Sequence, residues 1–154
     1  MSGVNGSLWP LATLIIITLA GAATGLQAPT NARLAAAVGS PVNAAFVSFA
    51  VGTIALAVLA LIGQTKPDWA ATRALPWYAW VGGLYGVCFV IAATWGVPRL
   101  GVALTITLMV AGQLLISLVL DHFGAFGAPR QPINFGRIAG VALVIGGVML
   151  VRRS

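Results

Sequence analysis

The stretch LWPLATLIIITLAGAATGL, residues 8–26, holds nineteen residues in a row without a charge. An α-helix needs about 20 predominantly apolar residues to cross the hydrocarbon core of a bilayer. Similar uncharged runs recur along the chain, which is 60% hydrophobic and 6% charged. Soluble domains are about 45–50% apolar and about 25% charged. The sequence therefore predicts an all-α membrane protein with glycine-rich helix packing.

The uncharged runs predict five transmembrane helices joined by short loops. Ser40 followed by Pro41 is a favourable start for the second helix, because serine caps helices and proline suits the first helical position. The third helix is expected to begin at Pro76 and to end before Pro98, and Asn134 is expected to cap the short fifth helix. One membrane domain, residues 1–154, is predicted, with helices at about 8–37, 41–62, 76–97, 100–120 and 134–151.

The first helix is expected to stay in the protein, because residues 1–7 carry no Lys or Arg and so do not resemble the basic start of a signal peptide. Pro29 cannot donate to the carbonyl of Gly25, so a kink or break is expected there. A straight helix from Leu8 to Val38 would be about 46 Å long, against about 30 Å of hydrocarbon. Its polar residues are therefore expected near the membrane boundary, facing the bundle, with Arg33 facing out.

Polar side chains inside lipid are costly, so those within the spans are candidates for a solute site. Thr24, Gln27 and Asn31 recur at steps of three and four and share one helix face. The alternative is that each polar residue only hydrogen-bonds to a neighbouring helix. The substrate-binding candidates are Thr24, Gln27, Asn31, Ser48, Tyr85, Trp95 and Gln113.

Glycines spaced by four or seven residues indicate faces where helices approach closely in lipid. Such faces pack either within one chain or between two copies, and spacing alone leaves both open. Gly140 and Gly147 share a face of the last helix over two turns and are the predicted dimer contact. The other pairs are Gly21 with Gly25, Gly82 with Gly86, and Gly136 with Gly140.

Positive charges are balanced across the membrane. The positive-inside rule reads orientation from an excess of Lys and Arg on one side, and here the excess is nil. The sequence therefore favours insertion in both orientations, unless a partner or a marginal bias fixes one. With five spans, one side receives Lys66, Arg73, Arg130 and Arg137, and the other receives Arg33, Arg99, Arg152 and Arg153.

Catalytic and cofactor chemistry has little support in the residues. The chain has one His, one Cys and two Asp, and no Glu, so paired carboxylates and metal-ligand clusters are not expected. We expect no enzyme activity, no metal and no cofactor, and the scattered arginines do not predict nucleic-acid binding. Asp121 and His122, at the end of the fourth helix, are expected to contact Arg130 or Arg137 at the surface.

Three segments resemble the YdcZ-like family, a bacterial inner-membrane group in the drug/metabolite transporter superfamily. They are LQAPTNARLAAAVGSPVNAAFVSFAVGTIAL (26–56), PRLGVALTITLMVAGQLLISLVLDHFGAFG (98–127) and GRIAGVALVIGGVMLV (136–151). The resemblance implies five-helix units that assemble antiparallel. The related small multidrug resistance proteins rely on a glutamate in helix 1, which this chain lacks, so their cation/proton exchange is not carried over. The family-like positions are Gln27, Asn31, Ser48, Gln113, Asp121 and His122.

The resemblance and the charge balance together predict a multi-pass protein of the bacterial inner membrane that transports a small molecule of unknown identity. We expect an antiparallel, dual-topology homodimer with the substrate site between the subunits, because inverted repeats place sites where their halves meet. Neutral or anionic solutes are favoured over cations, since the centre of each span lacks a carboxylate. The alternatives are a dual-topology channel or lipid-translocating protein, and a structural or regulatory subunit that does not transport.

Overall fold

A computed structural model describes the backbone of residues 5–153 and the side chains of residues 11–153. These residues form α1 (Asn5–Val38), α2 (Pro41–Ile62), the short α3 (Trp69–Thr72), α4 (Gly82–Leu100), α5 (Val102–Phe123) and α6 (Phe135–Arg153). Short 3₁₀ helices lie at Trp77–Trp80 and Ala125–Gly127. Within the described part of the chain, five helices are long and apolar enough to cross a membrane, so the predicted all-α membrane class is confirmed.

Local capping explains the tight connection between α1 and α2. Gly39 has a φ of +87°, a conformation that glycine adopts readily. Ser40 then accepts a hydrogen bond from the Asn43 backbone N–H at 3.1 Å, and Pro41 begins the helix, as predicted. The Asn43 side chain donates back to the Val38 carbonyl at 2.9 Å. Two residues therefore suffice to reverse the chain.

Two of the three expectations that place a proline at a helix end were wrong. Pro76 does not open the third span, because Trp77–Trp80 forms a 3₁₀ helix and α4 begins at Gly82. Pro98 lies inside α4, which continues to Leu100. A proline in the last turn removes only one intrahelical bond, and the Gly101 N–H still reaches the Val97 carbonyl at 3.0 Å.

The first helix is continuous through Pro29, so it is not broken there, and the alternative of a kink stays a prediction. At 34 residues, α1 is about 51 Å long, well above the thickness of a bilayer's hydrocarbon core. Arg33 is exposed five residues before the end of α1, as predicted. The Asn134 side chain accepts from the Arg137 backbone N–H at 3.0 Å and so caps α6, as predicted.

The chain forms two compact units, one up to Trp95 and the other from Gly96 onward. In the first, α1 packs against α2, and in the second, α5 packs against α6. The buried apolar side chains are mostly small, including Ala28, Ala44 and Ala45 in the first unit and Ala111 in the second. Most large apolar side chains of the spans are exposed, as expected for helices whose solvent is lipid.

Candidate functional site

The face of α1 predicted to be polar turns only partly toward the protein. Asn31 is only 4% exposed and Ala28 is 3% exposed, while Thr24 is half-buried. The Thr24 hydroxyl donates to the Ala20 carbonyl of its own helix at 2.9 Å, so it does not link two helices by this bond. Gln27 lies at the edge of this buried face and is exposed.

Gln27 lines a groove between α1 and α2, which we call the α1–α2 groove. Its volume is about 240 Å³, and its other lining residues all come from one face of α2. Three side chains supply uncharged polar groups: the amide of Gln27 and the hydroxyls of Ser48 and Thr53. Phe49, Gly52 and Leu56 complete the lining.

Glycine and phenylalanine give the groove its shape. A Cβ atom added at Gly52 would meet no atom within 4 Å, so the missing side chain leaves open space. Phe49 reaches across to α4, where its Cζ would lie 3.2 Å from a Cβ on Gly86. Gly86 is one of the glycines predicted to allow close helix approach, and it therefore contacts a side chain of its own unit. The Thr53 hydroxyl donates to the Phe49 carbonyl at 2.8 Å and keeps its lone pairs for other donors.

The groove lies at the mid-depth of α2. This helix has 22 residues and is about 33 Å long, close to the thickness of the hydrocarbon core. Gly52 lies near its midpoint, and Gln27 lines the same groove. Gln27 also precedes the end of α1 at Val38 by eleven residues, or about 16 Å. The expectation of a polar group at the membrane boundary rested on depth along the overlong α1, and the position of the groove along α2 argues against it.

The structure brings together only part of the predicted site. Tyr85 and Trp95 are exposed on α4 and do not line the α1–α2 groove. Gln113 is exposed on α5, in the other unit. Thr53 was not among the predicted site residues. Residues 48, 52 and 56 recur at steps of four on one face of α2, and residues 49 and 53 lie beside them at the same step. This spacing was the signal that could have identified the α2 side of the groove.

A second groove lies between α5 and α6, and we call it the α5–α6 groove. Its volume is about 340 Å³. Its lining contains an ion pair, in which Arg137 NH1 lies 3.1 Å from Asp121 Oδ2. The predicted contact between Asp121 and an arginine is therefore confirmed for Arg137. The lining residues are Leu114, Ser117, Leu118, Asp121, Arg137, Gly140 and Val141.

Further hydrogen bonds fix the connection between α5 and α6. Arg137 also donates to the carbonyl and the side-chain oxygen of Gln131, at 3.3 and 2.6 Å. Arg130 Nε donates to the His122 carbonyl at 3.1 Å. His122 Nδ1 accepts from the Ile133 backbone N–H at 3.2 Å. The connection is therefore a polar, ordered end of the α5–α6 pair.

The glycine faces of α6 are unfilled by the part of the chain that the structure describes. A Cβ at Gly140, Gly146 or Gly147 would meet no atom within 4 Å. Gly147 lies in a shallow surface groove with Ala139, Ala142, Leu143, Gly146 and Leu150. The role of Gly140 and Gly147 as a dimer contact stays a prediction.

Comparison with known proteins gives two matches. The sequence model of a family described as "Putative inner membrane exporter, YdcZ" matches residues 12–150. "Inner membrane protein YdcZ" of Escherichia coli (strain K12) is 40% identical over 79 residues, which are 51% of this chain and 52% of that protein. The chain thus spans about half the length of this relative. No solved structure matches the chain.

Proposed function

This chain belongs to the YdcZ family, and we propose that it carries a small solute across the inner membrane as an antiparallel homodimer, with the substrate site between the two copies. The description of this family is that of a membrane exporter, not that of an enzyme. The five spans and the inner-membrane relative make the chain a multi-pass inner-membrane protein. To this family membership and membrane location, the proposal adds a transported solute, a substrate site and an antiparallel dimer.

The α1–α2 groove is the observation that carries the proposal. It holds Gln27, Ser48 and Thr53 at the mid-depth of a transmembrane helix, where uncovered polar groups are unfavourable unless they serve a cavity or a partner. An amide and two hydroxyls offer donors and acceptors without charge. Such a lining suits a neutral polar solute, or an anion held by donors, better than an organic cation.

The absence of an acidic group in the groove supports the same substrate class. Within the five spans that the structure describes, the acidic residue is Asp121, near the end of α5 and already paired with Arg137. A cation bound at mid-depth would therefore lack a carboxylate partner in this part of the chain. We propose neutral or anionic solutes on this ground.

Three features support a second, inverted copy. Positive charges are balanced across the five spans, so neither orientation is favoured. The α1–α2 groove opens on the surface of its own unit, so another chain can cover it. Gly146 and Gly147 on α6 leave room for the close approach of another helix. Two inverted copies would bring two such grooves to one site near the midplane.

Orientation is tested by a reporter fused after Ser154. We expect signal from both sides of the membrane in cells that express one gene. Signal from one side alone would contradict the antiparallel homodimer. A reporter after a single-orientation membrane protein serves as the control for leakage.

Transport is tested with the purified chain in proteoliposomes, using panels of neutral polar, anionic and cationic solutes. We expect saturable uptake of a member of the first two panels. Thr53→Val removes the hydroxyl in the groove and should raise the half-saturation concentration by about 2- to 12-fold, the effect of one neutral hydrogen bond of about 0.5–1.5 kcal/mol.

Thr18→Val is the matched control for this variant. Thr18 makes the same hydrogen bond to the carbonyl four residues earlier, at 2.8 Å, but it does not line the groove. We expect wild-type uptake from it. Non-saturating flux, or equal behaviour of the two variants, would refute a carrier with its site in the α1–α2 groove.

A further inference from the structure

The α5–α6 groove has a charged mouth at one end of its helices. Asp121 lies two residues before the end of α5, and Arg137 two residues after the start of α6. Their side chains are 40% and 28% exposed, so both remain reachable from outside. Because helix ends lie at the level of lipid headgroups, a positive and a negative charge are presented there side by side.

Below this mouth the groove is mostly apolar, with the Ser117 hydroxyl as a polar group in its lining. Leu114, Leu118 and Val141 line it, and Leu114 lies seven residues before Asp121, or about 10 Å deeper along α5. Gly140 leaves the floor open, because a Cβ there would meet no atom within 4 Å. The groove is therefore long enough for the upper part of an extended hydrocarbon chain.

The charged pair keeps hydrogen-bonding capacity for a ligand. Arg137 has five N–H donors, and its bonds to Asp121 and Gln131 use two on NH1 and one on NH2. Nε–H and one N–H of NH2 donate to no described residue and remain for a phosphate. Asp121 accepts from Arg137 through Oδ2, and its Oδ1 accepts no hydrogen bond from the described residues. That oxygen can receive an ammonium N–H.

The surroundings of the mouth favour a lipid over a water-soluble ligand. Phe123, Phe126 and Phe135 at this end of the α5–α6 pair are all strongly exposed. Large aromatic side chains near helix ends are typical of contact with the membrane interface. A ligand that enters between them meets apolar surface on its way to the charged pair.

We propose that the α5–α6 groove binds one phospholipid with a phosphoethanolamine headgroup. Its phosphate accepts from Arg137, its ammonium donates to Asp121, and one acyl chain lies along Leu114, Leu118 and Val141. Both charges of the headgroup meet an opposite charge, which a headgroup of one sign does not achieve. The site does not depend on the α1–α2 groove or on the proposed transport.

Native mass spectrometry of the detergent-purified chain tests the proposal with two lipids of identical acyl chains. Phosphatidylethanolamine has ammonium N–H donors for Asp121, whereas the quaternary ammonium of phosphatidylcholine has none. We expect phosphatidylethanolamine to bind at least about tenfold more tightly, as befits a hydrogen bond to a charged group. Asp121→Asn should abolish this preference.

Arg130→Gln is the matched control, because Arg130 contributes a charge at the same end but bonds to the His122 carbonyl outside the groove. It should keep the preference for phosphatidylethanolamine.

Gly140→Leu should weaken the binding of both lipids by filling the floor of the groove, and it gives a second readout if the Asp121 variant does not fold. Equal affinity of the wild type for both lipids would overturn the proposal. So would competition by soluble phosphoethanolamine as strong as that by the lipid, which would mark a solute site.

Discussion

Substitution of Gly52 by leucine should stabilise the protein and at the same time block transport through the α1–α2 groove. Gly52 lines the groove near the middle of α2, and a Cβ there meets no atom within 4 Å, so a side chain enters empty space. Glycine in a helix interior is about 0.8–1.0 kcal/mol less favourable than alanine, and leucine is close to alanine. Gly52→Leu should therefore raise the free energy of unfolding by somewhat less than about 1 kcal/mol.

The same side chain should block the solute. If each of its four carbons takes about 30 Å³, the share of one water molecule in the liquid, it removes about 120 Å³. That is half of the groove's volume of about 240 Å³. Overpacking by added carbons costs about 1–3 kcal/mol, which corresponds to a loss of about 5- to 150-fold in transport.

Proteoliposome uptake and thermal unfolding in detergent, measured on the same preparation, are the assay for this variant. Gly112→Leu is the control, because Gly112 lies near the middle of α5, has no atom within 4 Å of its Cβ position and lines no groove described above. It should gain similar stability and keep transport. Wild-type uptake by Gly52→Leu would refute the assignment of the groove as the solute route.

Three further predictions concern stability, each measured by thermal unfolding in detergent. Gly96→Ala places a Cβ 3.0 Å from Thr105 Cγ2. After the gain in helix propensity is subtracted, this crowding should destabilise the protein by up to about 2 kcal/mol, and Thr105→Ser should relieve the loss. An unchanged Tm would contradict this. Thr94 is 1% exposed and its Oγ1 has no hydrogen-bond partner among the described residues, so Thr94→Val should stabilise by about 1–3 kcal/mol, and a lower Tm would show that the hydroxyl has a partner in the assembled protein. Ser40→Ala removes the cap on the Asn43 N–H and should cost about 1 kcal/mol, with no effect if that bond does not form.

Local chemistry carried the correct part of the sequence interpretation. Uncharged runs gave the five spans, and the caps at Ser40 and Asn134 were found because capping depends on neighbouring residues alone. The pairing of Asp121 with Arg137 followed from two charges at facing helix ends. These features need no knowledge of how distant helices are arranged.

A local cause explains one miss, and tertiary arrangement explains the others. Pro98 was expected to end its helix, but only the last turn is affected, and the bond from Gly101 to Val97 closes it. The exposure of Gln27 was not predicted, because it depends on which part of α1 lies beside α2. Thr53 lines the groove because of how α2 is rotated about its own axis, and this rotation cannot be read from a list of polar residues.

Thiol labelling of Thr53→Cys in a Cys88→Ser background tests the central claim most directly. The native Cys88 is exposed and must be removed. A membrane-impermeant maleimide should react with the new cysteine from outside in intact cells and from the cytoplasmic face in inverted vesicles, because a solute route is open to water at the mid-depth of α2. Thr18→Cys, on the surface of α1 outside the groove, should stay inert. If Thr53→Cys is as unreactive as Thr18→Cys, the α1–α2 groove faces lipid and the proposed solute route is contradicted.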